Sequence, residues 1–273
     1  MPCEKLAPDL KTQNACDDAK YAGRADGLLL VRPRLRGARR RRQADARMLI
    51  FNADGSEASM CGNGLRCVAW YLHARDRGCS AFTIETGAGL MRAEIVAPER
   101  VRIAMTPPRK IRLGLALPAR GKHWKIHSVD TGVPHAVVPV RSIESVDLSA
   151  LGPAIRFHPR FRPAGTNVDL LKIRSPHRIA VRTYERGVEA ETLACGTGAV
   201  ACVVVGAALG LLKPPVSVET SGGERLTVRF RGDLAPSTPK GARPLFYLEG
   251  PARILFKGEM WRKPGEPGRR EKR

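Results

Sequence analysis

The sequence predicts an α/β protein of two pseudosymmetric domains, each a mostly antiparallel sheet or barrel wrapped around a central apolar helix. Three observations carry that prediction. The chain repeats itself at a fixed offset. One copy of the repeat contains a run of 14 apolar or small residues, Ala199 to Leu212. A helix that is apolar on every face must be buried all round. The rest of the chain is mostly short segments of β-like pattern separated by turn residues. A length of 273 residues accommodates two domains of about 130 residues each.

The first copy reads MCGNGLRCVAWYL from Met60, then FTIETGAGLMRAEI from Phe82. The second reads ACGTGAVACVVVGAALGLL from Ala194, then VSVETSGGERLTVRF from Val216. Glu85 lies 24 residues after Cys61, and Glu219 lies 24 residues after Cys195. Gly62 matches Gly196, Gly64 matches Gly198, Thr86 matches Thr220 and Gly89 matches Gly223. Each copy reads as a loop ending in Cys-Gly-x-Gly, then an apolar helix, Leu65 to Ala74 or Ala199 to Leu211. An alternating strand follows, then a hairpin turn at Gly87–Gly89 or Gly222–Gly223, and a return strand.

Further strands are expected at Leu28–Val31, Met48–Phe51, Val101–Met105, Ile126–Val129, Ala136–Val140, Val168–Ile173, Ile179–Tyr184, Leu245–Leu248 and Ala252–Phe256. Turns fall at Pro107–Pro108 and Gly165–Thr166. The first half covers residues 1–113 with a return strand near 252–260, and the second covers 114–251. The join lies near Pro107 to Lys122, and 261–273 read as a disordered tail.

Composition excludes several classes. No apolar run reaches the roughly 18–20 residues of a spanning helix, so no membrane role is expected. The N-terminus has no apolar signal-peptide core. Seven cysteines, an odd number, without such a signal argue for a reducing cytosol rather than a disulfide framework. His123 and His127 are spaced i, i+4, but Gly121 and the β-rich flank argue against a metal pair, so no metal is expected. The net charge of +21 suits a nucleic-acid or membrane partner in principle. Its dense spots, Arg39 to Arg42 and Gly268 to Arg273, carry no interleaved aromatics, and aromatics make up only 5% of the chain. Solvated loops therefore explain the charge better than a nucleic-acid partner.

Chemistry concentrates at Cys61 and Cys195. A Cys just before a helix start faces unsatisfied backbone N–H groups and the positive end of the helix dipole. Both favour thiolate and lower the thiol pKa. The same N–H groups form a cradle for a carboxylate or phosphate. Two such sites brought to one cleft would set two thiols across one carboxylate-bearing carbon, as inversion by one base and one acid requires. Cys67, Cys79 and Cys202 lack this context and read as buried small hydrophobes. Gly196 to Ala201 also satisfies G-x-G-x-x-A, but no apolar strand leads into it, so dinucleotide binding is set aside.

The segments FNADGSEASMCGNGLRCVAWYL, GVPHAVV, GTNVDLL and YERGVEAETLACGTGAVAC resemble the diaminopimelate epimerase family, in order, over most of the chain. The resemblance implies interconversion of LL- and meso-diaminopimelate without pyridoxal phosphate, any other cofactor or a metal. It implies Cys61 and Cys195 as catalytic base and acid, and Gly62, Asn63, Gly196 and Thr197 as the α-carboxylate cradle. It further implies His135 and Glu185 at the α-amino group, and Asn52, Asn167 and Arg186 at the distal amino-acid end. A homodimer is compatible with it. Two alternatives stay open, an epimerase or racemase of another amino acid and a non-catalytic basic binding protein on the same scaffold.

Three features depart from the family pattern. The usual opening strand and Gly-x-x-Asn-Asp-Phe-like segment have no counterpart before MPCEKLAPDL, Val133 stands where many members have Asn, and Tyr21 to Gly27 is an imperfect copy of a Gly-rich segment. Weak activity and poor solubility are the corresponding expectations.

Overall fold

The computed structural model describes residues 5–8, 27–33, 44–52, 55–232 and 244–255. Two compact units divide the chain: residues 2–101 with 252–273, and residues 102–251. Among the described residues, no helix is long and apolar enough to cross a membrane. The Arg39 to Arg42 cluster, most of the Tyr21 to Gly27 segment and the 261–273 tail lie outside the described residues.

The first unit contains β1 (Lys5–Pro8), β2 (Gly27–Pro33), β3 (Ala46–Asn52), β4 (Glu57–Ala58), α1 (Gly62–Arg75), β5 (Ala81–Thr86) and β6 (Gly89–Ala97). Its strands run in the order β1-β2-β3-β5-β6, with β4 on β3. β2 and β3 are antiparallel from Gly27↔Asn52 to Pro33↔Ala46, and β5 and β6 form the expected hairpin. β3 does not alternate. Met48, Leu49, Ile50 and Phe51 are all buried, so both faces of this strand are covered. α1 packs on β2, β3, β5 and β6, with Leu65, Val68, Ala69 and Leu72 on its buried side.

The chain passes to the second unit within β7 (Arg100–Ala104). There follow β8 (Arg109–Ala119), β9 (Lys122–Asp130), β10 (Pro134–Pro139), α2 (Leu148–Arg156), β11 (Asn167–Ser175), β12 (Arg178–Glu185) and β13 (Ala190–Thr192). The last elements are α3 (Gly196–Ala208), β14 (Val216–Glu219), β15 (Arg225–Arg231) and β16 (Leu245–Pro251). The strand order is β16-β15-β14-β12-β11-β10-β9-β8, with β13 on β12. Among the described residues, β10/β11 and β12/β14 are parallel pairs. α3 packs against β9, β10, β11, β12, β15 and β16. Every residue from Gly198 to Gly206 is buried, as a helix apolar on all faces requires.

Parity along β10, β11 and β12 sorts the two faces of this sheet. Ala136, Val138, Val168, Leu170, Ala180 and Tyr184 join Leu148, Leu151 and Ile155 of α2 in one apolar core. His135, Asn167, Asp169, Thr183 and Glu185 occupy the opposite parity. Register places His135 beside Asn167 and Asp169 beside Thr183.

Four expectations need correction. The segment Pro107 to Lys122, read as the join, is mostly strand β8, because its residues pair with β9 in a long hairpin. No strand forms over Ala252–Leu255. The ladder to β15 ends with β16, after which the Ala252 N–H donates to Glu99 O (2.9 Å). Both repeat helices begin three residues earlier than expected, at Gly62 and Gly196, because each Cys itself serves as the cap. Cys79 is only half-buried, since it sits in the turn after α1 with its thiol directed at Asp76 Oδ2 (3.7 Å).

Candidate active site

Cys61 and Cys195 end their loops in the same way. Both have extended backbone, with φ/ψ of −139°/118° and −121°/111°. The Cys61 Sγ accepts the Gly64 N–H at 3.3 Å, and the Cys195 Sγ accepts the Gly198 N–H at 3.4 Å. The first helical bond is also the same, Leu65 N–H to Cys61 O and Ala199 N–H to Cys195 O, each 2.9 Å. Each thiol thus stands where an N-cap oxygen would stand. Gly62 and Asn63, or Gly196 and Thr197, supply the first N–H groups of each helix, where the dipole is positive.

The hairpin of each repeat braces the segment leading to its Cys. Ala88 N–H donates to Ser59 O (3.0 Å), and Gly222 N–H donates to Leu193 O (2.7 Å). Ser59 and Leu193 each lie two residues before the Cys. Thr86 and Thr220 hold the turns through their hydroxyls, bonded to Gly89 O (2.9 Å) and Glu224 O (3.1 Å). The shared Glu-Thr-x-x-Gly pattern therefore fixes a turn that pins the thiol's approach.

In the first unit Asn52 ends β3, exposed, with its Nδ2 donating to Ser56 Oγ (2.9 Å). Asn63 lies on the first turn of α1, and its Oδ1 accepts from Arg66 Nη2 (3.2 Å). The second unit brings together His135, Asn167, Glu185, Arg186, Cys195, Gly196 and Thr197. His135 is wholly buried, and its Nδ1 lies 2.7 Å from Asp169 Oδ2. Asn167 spends its amide on protein groups, Nδ2 on Pro134 O (3.2 Å) and Oδ1 on the Arg186 N–H (2.7 Å). The Arg186 Nη1 donates to Ala164 O (3.3 Å). Thr197 Oγ1 lies 3.4 Å from the Cys195 thiol, and the Thr131 hydroxyl donates to Thr197 O (3.3 Å).

Electrostatics corrects the expectation of a lowered thiol pKa at Cys195. Burial pushes the Cys195 thiol far above its ordinary value, and the charges of Glu185 and Asp169 push the same way. The Thr197 hydroxyl and the Gly198 N–H oppose this and lose. Desolvation of a thiolate at a buried position outweighs these two hydrogen bonds. Cys195 is therefore a protonated thiol at neutral pH. Burial also raises the Glu185 carboxyl, and the Asp169 charge adds to it.

Asp169 and Thr183 belong to this cluster, and the sequence reading did not select them. The available signal was an acid set within the apolar strand VDLL. A Cβ at position 198 would run into Asp169 Oδ1, so the second glycine of the Cys-Gly-x-Gly motif is what lets this carboxylate lie under the first turn of α3. Among the described residues, no three His, Cys, Asp or Glu side chains cluster as a metal site.

Two layered α/β units, each with a Cys-capped helix start, define the class to which this chain belongs, and solved structures share the architecture. A hydroxyproline epimerase from Agrobacterium vitis superposes with a TM-score of 0.67 at 17% identity, over 91% of this chain and 84% of that one. The family itself is settled by sequence. A model of the diaminopimelate epimerase family matches residues 4–111 and 127–233. The diaminopimelate epimerase of Aquifex aeolicus is 45% identical over 238 residues, covering 86% of this chain and 80% of its own. That of Chlorobaculum tepidum is 40% identical over 240 residues, covering 86% and 85%. The chain belongs to the diaminopimelate epimerase family.

Proposed function

We propose that this protein is an isomerase that interconverts LL- and meso-diaminopimelate by two-base proton exchange at one α-carbon. The observation that carries the reading is the matched pair of Cys-capped helix starts in a chain of this family. In the proposed step, the Cys61 thiolate removes the α-proton from one face, and the Cys195 thiol delivers its proton to the other. Cys61 ends as thiol and Cys195 as thiolate, so the reverse reaction starts from that state. The protonated resting form of Cys195 suits the donor role. A carbanion next to a carboxylate needs donors aimed at the developing charge, and the N–H groups of Gly62, Asn63, Gly196 and Thr197 are the proposed cradle. Glu185, with His135 behind it, is proposed to receive the α-ammonium. Asn52, Asn167 and Arg186 are proposed to read the distal zwitterion, for which a guanidinium supplies a planar fork.

The reading places the reaction in the cytoplasm and assigns no nucleic-acid partner to the positive charge. The test is incubation with LL-diaminopimelate in deuterium oxide, followed by NMR. Meso product carrying α-deuterium is expected. Cys61→Ala and Cys195→Ala should each lower turnover by about 10²–10⁴-fold, the usual worth of a positioned acid or base, while Cys67→Ala leaves it near normal. Absence of α-deuterium with the wild type, or near-normal turnover in either catalytic variant, overturns the reading.

A further inference from the structure

The hydrogen bonds around His135 leave only one assignment of donors and acceptors. Arg186 N–H can only donate, so the Asn167 atom 2.7 Å from it is the carbonyl oxygen. Pro134 O can only accept, so the Asn167 atom 3.2 Å from it is the amide nitrogen. These two contacts agree and fix the orientation of the Asn167 amide. Its NH2 then faces His135 Nε2 at 3.5 Å. A donor there requires Nε2 to be the acceptor, without a proton. The ring proton therefore sits on Nδ1 and is donated to Asp169 Oδ2 at 2.7 Å. The other Asp169 oxygen accepts from the Thr183 hydroxyl at 2.8 Å. Both side chains of the His135–Asp169 pair are 0% exposed. The carboxylate accepts on both oxygens and lies against the first turn of α3, the positive end of that helix.

We propose that Asp169 is a positioning residue, whose doubly bonded carboxylate locks His135 as the neutral, Nδ1-protonated tautomer and through Asn167 fixes the main chain at Glu185–Arg186. Which ring nitrogen of a histidine carries the proton is set by the partner of the other, and here every partner is itself held. The relay runs from Thr183 on β12 to Asp169 on β11, His135 on β10, Asn167 on β11 and Arg186 at the end of β12. Its role in turnover rests on the function proposed above, whereas the tautomer does not.

The test has two arms. In the first, substrate-free wild-type protein is labelled with ring-¹⁵N histidine, and the His135 signals are assigned by their loss in His135→Gln. The expected spectrum has a protonated Nδ1 with a downfield hydrogen-bonded proton and an unprotonated Nε2. A proton on Nε2, or a doubly protonated ring, overturns the proposal, and this arm needs no Asp169 variant to fold. In the second arm, Asp169→Asn keeps the shape but removes the charge and one acceptor. The Nδ1 proton should move upfield or leave Nδ1, and kcat should fall at least about tenfold while KM changes less than about threefold. An unchanged ring spectrum, or an unchanged kcat in the folded variant, overturns it. Inactivity of the wild type toward LL-diaminopimelate would sink the proposed substrate instead, and the first arm would still decide the tautomer.

Discussion

At Cys195, burial and two carboxylates outweigh the hydrogen bonds from Thr197 and Gly198 that favour a thiolate. A thiol at a helix start is ordinarily acidified, but this one is enclosed and lies near the charges of Glu185 and Asp169. Removing either charge favours the thiolate, so Glu185→Gln should shift the titration of Cys195 downward. Its alkylation by iodoacetamide, followed by mass spectrometry across a pH series, should rise at lower pH than in wild type. An unchanged profile would show that Glu185 does not bear on the thiol. The sequence revealed both cysteines, because the same residues recur around them at one offset. It did not reveal the charge state of Cys195, which depends on residues 10 and 26 positions earlier in the chain.

Among the elements, strands β7, β15 and β16 share a buried acid. Glu249 on β16 is 5% exposed at its side chain, and its Oε1 lies 2.7 Å from both Arg102 Nε and Arg229 Nε. Burial opposes its ionisation, yet the two guanidinium bonds prevail and hold the carboxyl below the usual range. A group with a lowered folded pKa stabilises the fold above its unfolded pKa, and the contribution is lost as pH falls through the folded value. Glu249→Gln should therefore cost about 1–3 kcal/mol at pH 7. In urea melts the gap to wild type should narrow as the pH drops below about 4, the range of an unfolded glutamate. A gap that stays constant with pH would show that lost packing, not lost charge, is the cause. Helix α2 is poorly marked in the sequence. Asp147 caps it through a bond from Ala150 N–H (3.1 Å), and Leu148, Leu151 and Ile155 keep helical spacing, but Gly152 and Pro153 interrupt the pattern as turn residues do. Gly152 is there because a Cβ would meet the Tyr184 ring.

Over the whole molecule, the repeat produces two units with the same local device, a capped thiol braced by a Thr-anchored hairpin. The proposed chemistry requires both thiols to approach one carbon from opposite sides. On that requirement, diamide should oxidise the pair to a disulfide as the reagent is reduced to its hydrazine, with loss of turnover. Dithiothreitol should restore it. Bridging needs Cα atoms within roughly 7 Å. Peptide mapping of oxidised, inactive protein that lacks a Cys61–Cys195 peptide would show that the thiols do not meet.

The sequence by itself determined the α/β class, the two repeat helices with their hairpins and the two thiols. These follow from local periodicity, capping and self-similarity, all of which are written along the chain. Only the tertiary structure decided that Asp169 lies under Gly198, that His135 and Asn167 spend their polar atoms on protein partners, and that Cys195 rests as a thiol. Strand register and burial create those facts. They join β10, β11, β12 and α3, elements whose pairing no local pattern specifies, and a lone Asp in an apolar strand looks the same in sequence whether or not a histidine lies 2.7 Å away.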